Sequence, residues 1–541
     1  MNIVLRVLAA IALGVVLLPL AAVNQMDLLT RIDGEFDGSK MGHTVVSLDY
    51  NGDGHQDLVA SAIMWNPTGV YDQYNGWGKL YFYLGGHGFN NIADYAFPGN
   101  WGGQYVGRLD NAGDVNGDGK DDFLMFTNRR DIPGETDHFF SLYIFYGRDV
   151  PTGQPDYVYN ISEYDASQFG VTPLGDINND GYDDLGMRKQ VWARPYHNNV
   201  SVLLGSENGP NQIIPFRANQ ESWNLLFING IGDVNADGID DFHLLYHSSA
   251  EKRYTVFYGD SSFPDVDSLV IAEGYQGPAD YDACALGDVN GDEIDDFSSF
   301  MTATGKIWLG SPNLNPVWNA EIGDNLVQYQ ATYPSLRHGD FNGDGCEDIV
   351  GSDYVYSSWT GRVGIWLGHQ QFNGTVDLII NPPQFPSMQF GWSKAAGDFN
   401  ADGYCDLAIS SPFFYGFEGN YPGYIYIFQG NSQLIDTTVD NEDELAPLAG
   451  CRLVLNTYPN PFRGGTLHIE MDKADDISPN PDHIRLYNLK GQLIMQCETK
   501  ASDWQQDTLA LSLPDMPNGV YLLKLTDRKG HRISKKIVVT K

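Results

Sequence analysis

Seven short apolar runs, each closing on a glycine, punctuate the chain: KLYFYLG (79–85), SLYIFYG (141–147), VSVLLG (200–205), YTVFYG (254–259), KIWLG (306–310), VGIWLG (363–368) and YIYIFQG (424–430). Continuous β-branched and aromatic runs of this length suit a strand buried on both faces. Ahead of each run lies a mixed segment such as DLVASAI (57–63) or DLAISSP (406–412), and ahead of that a polar block dense in Asp, Asn and Gly. The polar block therefore joins two strands. A short strand before the block and another after the glycine complete a four-stranded antiparallel unit. Units of this size, repeated seven times, predict an all-β fold, a seven-bladed β-propeller over residues 27–435.

The polar blocks are DYNGDGHQD, DVNGDGKDD, DINNDGYDD, DVNADGIDD, DVNGDEIDD, DFNGDGCED and DFNADGYCD. In each, positions one, three, five and nine carry side-chain oxygens: Asp49, Asn51, Asp53 and Asp57; Asp114, Asn116, Asp118 and Asp122; Asp176, Asn178, Asp180 and Asp184; Asp233, Asn235, Asp237 and Asp241; Asp288, Asn290, Asp292 and Asp296; Asp340, Asn342, Asp344 and Asp348; Asp398, Asn400, Asp402 and Asp406. Three carboxylates in one short loop repel unless a cation sits among them. Calcium takes six to eight oxygens, and the main-chain carbonyl at position seven, with water, completes a shell. That carbonyl belongs to His55, Lys120, Tyr182, Ile239, Ile294, Cys346 or Tyr404. Up to seven Ca2+ ions, one per blade, are expected. The EF-hand is excluded, because its twelfth position must be Glu, and here it is Ala60, Met125, Met187, Leu244, Ser299, Gly351 or Ile409. Gly at position six supplies the positive φ that turns the loop back; Glu293 stands there in the fifth block, so that loop should be the weakest.

Charge and the chain ends refine this picture. The formal net charge is −38, yet residues 451–541 hold about 13 Lys or Arg against 10 Asp or Glu. The acidity belongs to the repeats, which excludes a phosphate-binding face and so nucleic acid. Residues 1–23, with Arg6 ahead of an apolar run from Val7 to Leu20 and small residues after it, read as a signal peptide. No other apolar stretch is long enough to cross a bilayer as a helix. Five scattered cysteines give neither a disulfide framework nor a zinc motif; Cys451 and Cys497 are close enough in sequence to leave a pairing open.

Residues 436–450 are acidic, without hydrophobic period, and read as a linker. Beyond them, LNTYPNPFRGGTLHIEM (455–471), IRLYNLKGQLI (484–494) and PNGVYLLKLTDRKGHRISKKIVVTK (517–541) alternate apolar and polar residues around turns, predicting a C-terminal Ig-like β-sandwich over residues 451–541.

The calcium blocks, with Phe169-Gly170 and Phe390-Gly391, resemble the FG-GAP repeats of integrin α chains. That resemblance implies that a strand near Leu28 to Phe36 closes the ring against the last blade, and that ligands dock on the face opposite the calcium loops. YPNPF, the Tyr-Asn-Leu-Lys-Gly turn and the Asn-Gly-Val-Tyr strand resemble the C-terminal sorting domain of the type IX secretion system. This implies export to the surface of a Gram-negative bacterium, with the type IX machinery as a partner.

Nothing in the sequence announces catalysis. GxSxG is absent, and the HxxxH of His243 and His247 lacks a third ligand and reads as core or surface. Mapped onto this chain, the resemblance to FG-GAP repeats implies that the face opposite the loops carries Trp65, Tyr71, Tyr74 and Trp77 of blade one, Tyr356 and Trp359 of blade six, and Phe413, Phe414, Tyr415 and Tyr421 of blade seven. Aromatics among Asn, Asp and Gly suit stacking on sugar rings or anchoring a protein, although long loops also pack their own aromatics. The sequence thus reads as a non-catalytic recognition or adhesion module for a carbohydrate or cell-surface protein; a polysaccharide lyase-like enzyme and a structural surface component are the alternatives.

Overall fold

The computed structural model describes residues 25–70, 76–99, 106–129, 139–162, 168–191, 197–216, 224–247, 252–275, 283–300, 304–323, 336–383, 389–412 and 421–434, and, further on, 453–458, 466–473, 483–488, 493–500, 504–505, 508–514, 516–517, 519–526 and 532–539. The chain divides into two compact units, Met1–Asp436 and Thr437–Lys541. The linker, the signal segment, Cys451, Tyr71, Tyr74, Phe413, Phe414 and Tyr415 lie outside the described residues.

The first unit is built from seven four-stranded antiparallel sheets. Six follow chain order, over residues 41–98, 106–162, 168–216, 224–275, 283–322 and 337–380. The seventh joins three strands of residues 394–429 to the N-terminal strand Asp27–Asp33, which pairs antiparallel with Tyr424–Gln429. The expected closing strand is therefore present, three residues shorter at its C-terminal end than Leu28–Phe36. The first strand of each sheet packs against the first strand of the next, and Lys394–Gly397 packs against Met41–Leu48, so the sheets form a closed circle of blades with their first strands innermost.

The apolar core of this unit is divided among the seven joints. Tyr50, Phe82 and Val59 of blade one meet Leu109, Phe123 and Phe145 of blade two; equivalent clusters fill the other joints. The buried-run strands supply these residues because each is covered by the neighbouring blades on both faces.

The second unit consists of two four-stranded sheets, Leu453–Tyr458, Thr466–Lys473, Thr508–Ser512 and Trp504–Gln505 in one, Leu493–Glu498, His483–Asn488, Gly519–Thr526 and Arg532–Val539 in the other. Leu467, Ile469, Leu509 and Leu511 of the first share a core with Ile484, Leu486, Leu523 and Ile537 of the second, which makes a sandwich. Cys497 is not in a disulfide.

Candidate functional site

Each polar block connects the first and second strands of its blade, so all seven emerge on one face. Their hydrogen bonding repeats. The position-one carboxylate accepts the N–H of position five through Oδ1 at 3.0–3.1 Å. Its Oδ2 accepts the N–H of position six at 2.6–2.9 Å. The position-five Oδ1 accepts the N–H of position seven at 2.9–3.1 Å. These Asx turns fold the loop tightly before any ion is considered.

Position nine works differently. Asp57, Asp122, Asp184, Asp241, Asp296, Asp348 and Asp406 are fully buried, and each Oδ1 accepts the N–H of the glycine ending the third strand of its own blade. This is why those apolar runs end at glycine: a Cβ on Gly85 or Gly259 would stand 2.3 or 2.2 Å from the carbonyl oxygen of Gln56 or Asp240. Burial pushes these carboxyls up, to about 7 for Asp57, Asp296 and Asp406, about 8 for Asp122, Asp184 and Asp241, and about 9 for Asp348. The second oxygens of Asp57, Asp184 and Asp406, and Asn178 Oδ1, are buried without a hydrogen-bond partner. A hard cation would suit such oxygens, and the chemistry of the donor set is compatible with calcium. Among the described residues no three His, Cys, Asp or Glu side chains group closely enough to hold an ion by themselves, so amide oxygens, main-chain carbonyls and water would have to share the shell.

The sequence reading missed position eight. The Asp-Asp pairs draw attention to their second members, but the first members fasten neighbouring blades. Asp121, Asp183, Asp240 and Asp295 each accept, through Oδ2, the position-one N–H of the preceding loop, Asp49, Asp114, Asp176 or Asp233, at 2.7–3.0 Å. The residue before the loop is glycine in three of these joints, at positive φ, and a Cβ on Gly113 would fall 2.0 Å from Asp183 Oδ2. A recurring Gly-Asp ahead of one block with Asp-Asp at the end of the next was the available sign. Also missed was position four, where Asn179, Ala236 and Ala401 take positive φ alongside the glycines of the other loops. Glu293 does adopt the expected positive φ, 71°.

On the opposite face the expected aromatics separate into groups. Trp65 donates its indole N–H to Glu35 at 2.6 Å, and its ring lies under the Lys79 ammonium at 4.8 Å; Trp77 donates its main-chain N–H to the Trp65 carbonyl. Trp77 thus braces the loop on Trp65, and Trp65 ties it to the segment after the closing strand. Tyr421 is half-buried in blade seven. In blade six, Tyr356 is 42% exposed with the Arg362 guanidinium 4.0 Å above its ring. Ser357, Ser358 and Trp359 all take positive φ, a left-handed turn unusual for three non-glycine residues. The turn sets Trp359 6.3 Å from Tyr354, which meets Trp392 edge-on at 5.3 Å, and Trp392 lies 6.0 Å from His43. This chain of rings crosses blades six, seven and one. His243 is buried in the core, pushed down to about 3 by desolvation; the His247 side chain lies outside the described residues.

Comparison with known proteins gives three matching families: FG-GAP-like repeat at residues 49–125, FG-GAP repeat at 390–428, and Secretion system C-terminal sorting domain at 456–540. Drosophila melanogaster integrin alpha-PS3 is 30% identical over 161 residues, 27% of this chain and 14% of that protein. Mouse phosphatidylinositol-glycan-specific phospholipase D is 32% identical over 131 residues, 22% of this chain and 16% of the relative. The matched region thus spans about a sixth of these curated relatives. The solved Dos1 propeller aligns over 75% of this chain and 96% of its own, at 10% identity and a TM-score of 0.35. Among the described residues no helix is long and apolar enough to cross a membrane.

Proposed function

Because the chain carries FG-GAP-type propeller repeats followed by a type IX sorting tail, which addresses it to the cell surface or the medium, we propose that it is a calcium-stabilised extracellular recognition module without catalytic activity. The observation that supports the calcium reading is the buried position-nine carboxylate, present in all seven loops and left with an orphan oxygen in three. Bound calcium would supply positive charge among the loop oxygens. The residues that would hold it are the Asp at positions one, five and nine, the Asn at three and the carbonyl at seven. They share one tight loop in each blade, and the three carboxylates would close around the ion as it binds.

The ligand reading rests on the opposite face, where rings from blades six, seven and one meet around a strained turn. Strain held at a surface loop is a common mark of a binding site. A carbohydrate or a cell-surface protein fits such a surface. Two measurements test the proposal. Calorimetric titration of metal-stripped protein should show calcium uptake with a rise in melting temperature; no uptake overturns the calcium reading. Glycan-array and cell-binding assays should show a specific ligand whose binding falls on substituting Trp359 or Trp392. Turnover of a polysaccharide would favour the lyase-like alternative, and ordered self-assembly without any ligand would favour a structural surface component.

A further inference from the structure

Positions seven to nine of each loop face in two directions. The carbonyl of position seven and the carboxylate of position nine belong to the candidate ion shell of their own loop, whereas position eight reaches back to the loop of the preceding blade. At the joint between blades two and three, Asp183 Oδ2 accepts the Asp114 N–H at 2.7 Å, and the Asp183 N–H donates to the Asp114 carbonyl at 3.1 Å. Asp121 and Asp49 exchange the same two bonds between blades one and two, at 2.8 and 3.2 Å. Asp240 and Asp295 hold Asp176 and Asp233 through the carboxylate, at 2.9 and 3.0 Å. The partner is each time the position-one residue, whose own carboxylate gathers the N–H groups of positions five and six, as Asp114 does those of Asp118 and Gly119.

Position seven adds packing to these bonds. A Cβ on Gly117, at position four of loop two, would stand 2.5 Å from the Tyr182 ring, and one on Gly52, at position four of loop one, 2.9 Å from the Lys120 side chain. Both side chains therefore rest against the backbone of the preceding loop. The clasp carries charge between loops as well. Asp183 lies within electrostatic reach of Asp114 in loop two and Asp176 in loop three, and Asp121 likewise of Asp49 and Asp114. Such carboxylates repel one another, and positive charge in either loop relieves the repulsion in both.

We propose that Asp121, Asp183, Asp240 and Asp295 are positioning residues that couple the candidate calcium sites, so that loops one to five take up the ion as one cooperative series. The inference rests on the calcium reading and says how its sites regulate one another. Loop three, once closed on its ion, fixes residues 182–184 and with them the main chain of Asp114 in loop two. A loop whose first ligand is already ordered loses less freedom on binding, which makes the coupling positive. By reciprocity, loop two does the same for loop three. The joint between blades seven and one is built differently: its position eight is Gln56, whose side-chain carbonyl accepts from Ser47 Oγ of the same blade at 2.9 Å.

The test titrates the metal-stripped full chain with calcium chloride, following uptake by calorimetry and, at each step, amide exchange of peptides that cover the individual loops. Loops one to five should become protected together over a narrow calcium range, with a Hill coefficient clearly above one. Asp183→Ala should raise the calcium midpoint of loop two by about fivefold or more, the usual range of coupling between sites. Asp180→Ala, a change at an exposed residue that removes a candidate ligand from loop three, should raise the loop-two midpoint by a similar factor, and by nothing more once Asp183 is already replaced. Gln56→Ala should leave the midpoints of loops seven and one in place. Calcium uptake in which the loops titrate independently, or a loop-two midpoint that ignores Asp180→Ala or Asp183→Ala, would overturn the coupling and leave the calcium reading standing. Absence of any uptake overturns both.

Discussion

The joints from blade one to blade five are fastened differently from the joints that complete the circle. In the first four, an Asp at position eight clasps the N–H of the preceding loop. Between blades five and six that position is Glu347, which pairs with His338 of its own blade at 3.0 Å. Between six and seven it is Cys405, whose Sγ would lie 2.4 Å from a Cβ on Gly339. Between seven and one it is Gln56, bound to Ser47 within blade one. Main-chain bonds persist throughout: Glu347 N–H to the Asp288 carbonyl, Cys405 N–H to that of Asp340, and Gly86 N–H to that of Phe399. The repeat is thus sevenfold in its candidate calcium ligands and not in the side chains that tie one loop to the next. Stability in such an array is a sum of blade and joint terms, and the joints completing the circle lack one charge-assisted bond each.

Removing calcium should expose this difference most strongly. Each ion that binds only the folded state contributes about 2.7 kcal/mol at a hundredfold excess over its Kd, and several sites act together. Chelation should lower the melting temperature by 10 °C or more, on the order expected for several kcal/mol. Amide exchange should accelerate first in blades six and seven and the Asp27–Asp33 strand, and last in blades two to four. Uniform acceleration around the ring would show that the position-eight clasps do not grade the joints.

The clasp itself is open to direct test. Asp183→Ala removes the acceptor for the Asp114 N–H and should cost up to about 3 kcal/mol by leaving a largely desolvated donor unpaired. Asp183→Asn keeps an acceptor oxygen and should cost less. Gln56→Ala, which breaks no bond between blades, should cost below about 1 kcal/mol. Urea unfolding of the three variants measures the order; equal losses at Asp183 and Gln56 would remove the distinction between the joints.

Much of this architecture was readable in the sequence, and what was not has a physical reason. Strand positions and the loops joining them follow from local patterns that repeat with the blade, whereas the loop face and the closing strand were expected only from the resemblance to FG-GAP repeats. The clasp was hidden because its two ends lie in different repeats, Asp114 and Asp183 for example, and because position nine beside it explained the acidic pair well enough. The aromatic patch was half legible. Trp359 meets Tyr354, and through it Trp392, neither of which the loop composition singled out, whereas Trp65 is tied to Glu35, a residue some thirty positions earlier that gives no local sign of the contact.

Acid should weaken the clasped side of the comparison as well, through His243. His243 sits in the second strand of blade four, fully buried, with neither ring nitrogen hydrogen-bonded. Its folded pKa of about 3 is below the unfolded value of about 6.5. Below that value the unfolded chain takes up a proton that the folded chain refuses, so the stability present above pH 6.5 is lost progressively toward pH 3. Between pH 7 and pH 5 the loss from this residue should be about 2 kcal/mol, concentrated in a clasped blade. His243→Leu should remove that part of the pH dependence in urea titrations at the two pH values. An unchanged pH dependence would mean that His243 is protonated in the folded state.

The smallest effect tests loop five, which stands where the two kinds of joint meet. Its Asp295 clasps loop four, while loop six is hydrogen-bonded to it through the Glu347 main chain. Glu293 holds φ at 71°, where the other six loops place glycine at 82–91°. A Cβ at Gly238 or Gly345 would meet nothing within 4 Å, so the cost of a side chain here is backbone strain alone, about 1 kcal/mol. Its N–H bond to Asp288 Oδ2, 2.6 Å, is the shortest of the seven equivalents, so the loop closes despite the strain. Glu293→Gly should therefore raise stability by up to about 1 kcal/mol, less whatever the added freedom of glycine gives the unfolded chain, and Gly238→Glu should lower it by a similar amount. Paired urea titrations read both. If Gly238→Glu is as costly as expected while Glu293→Gly gains nothing, loop five has relaxed around its glutamate, and the boundary between the two kinds of joint is no weaker there than elsewhere in the ring.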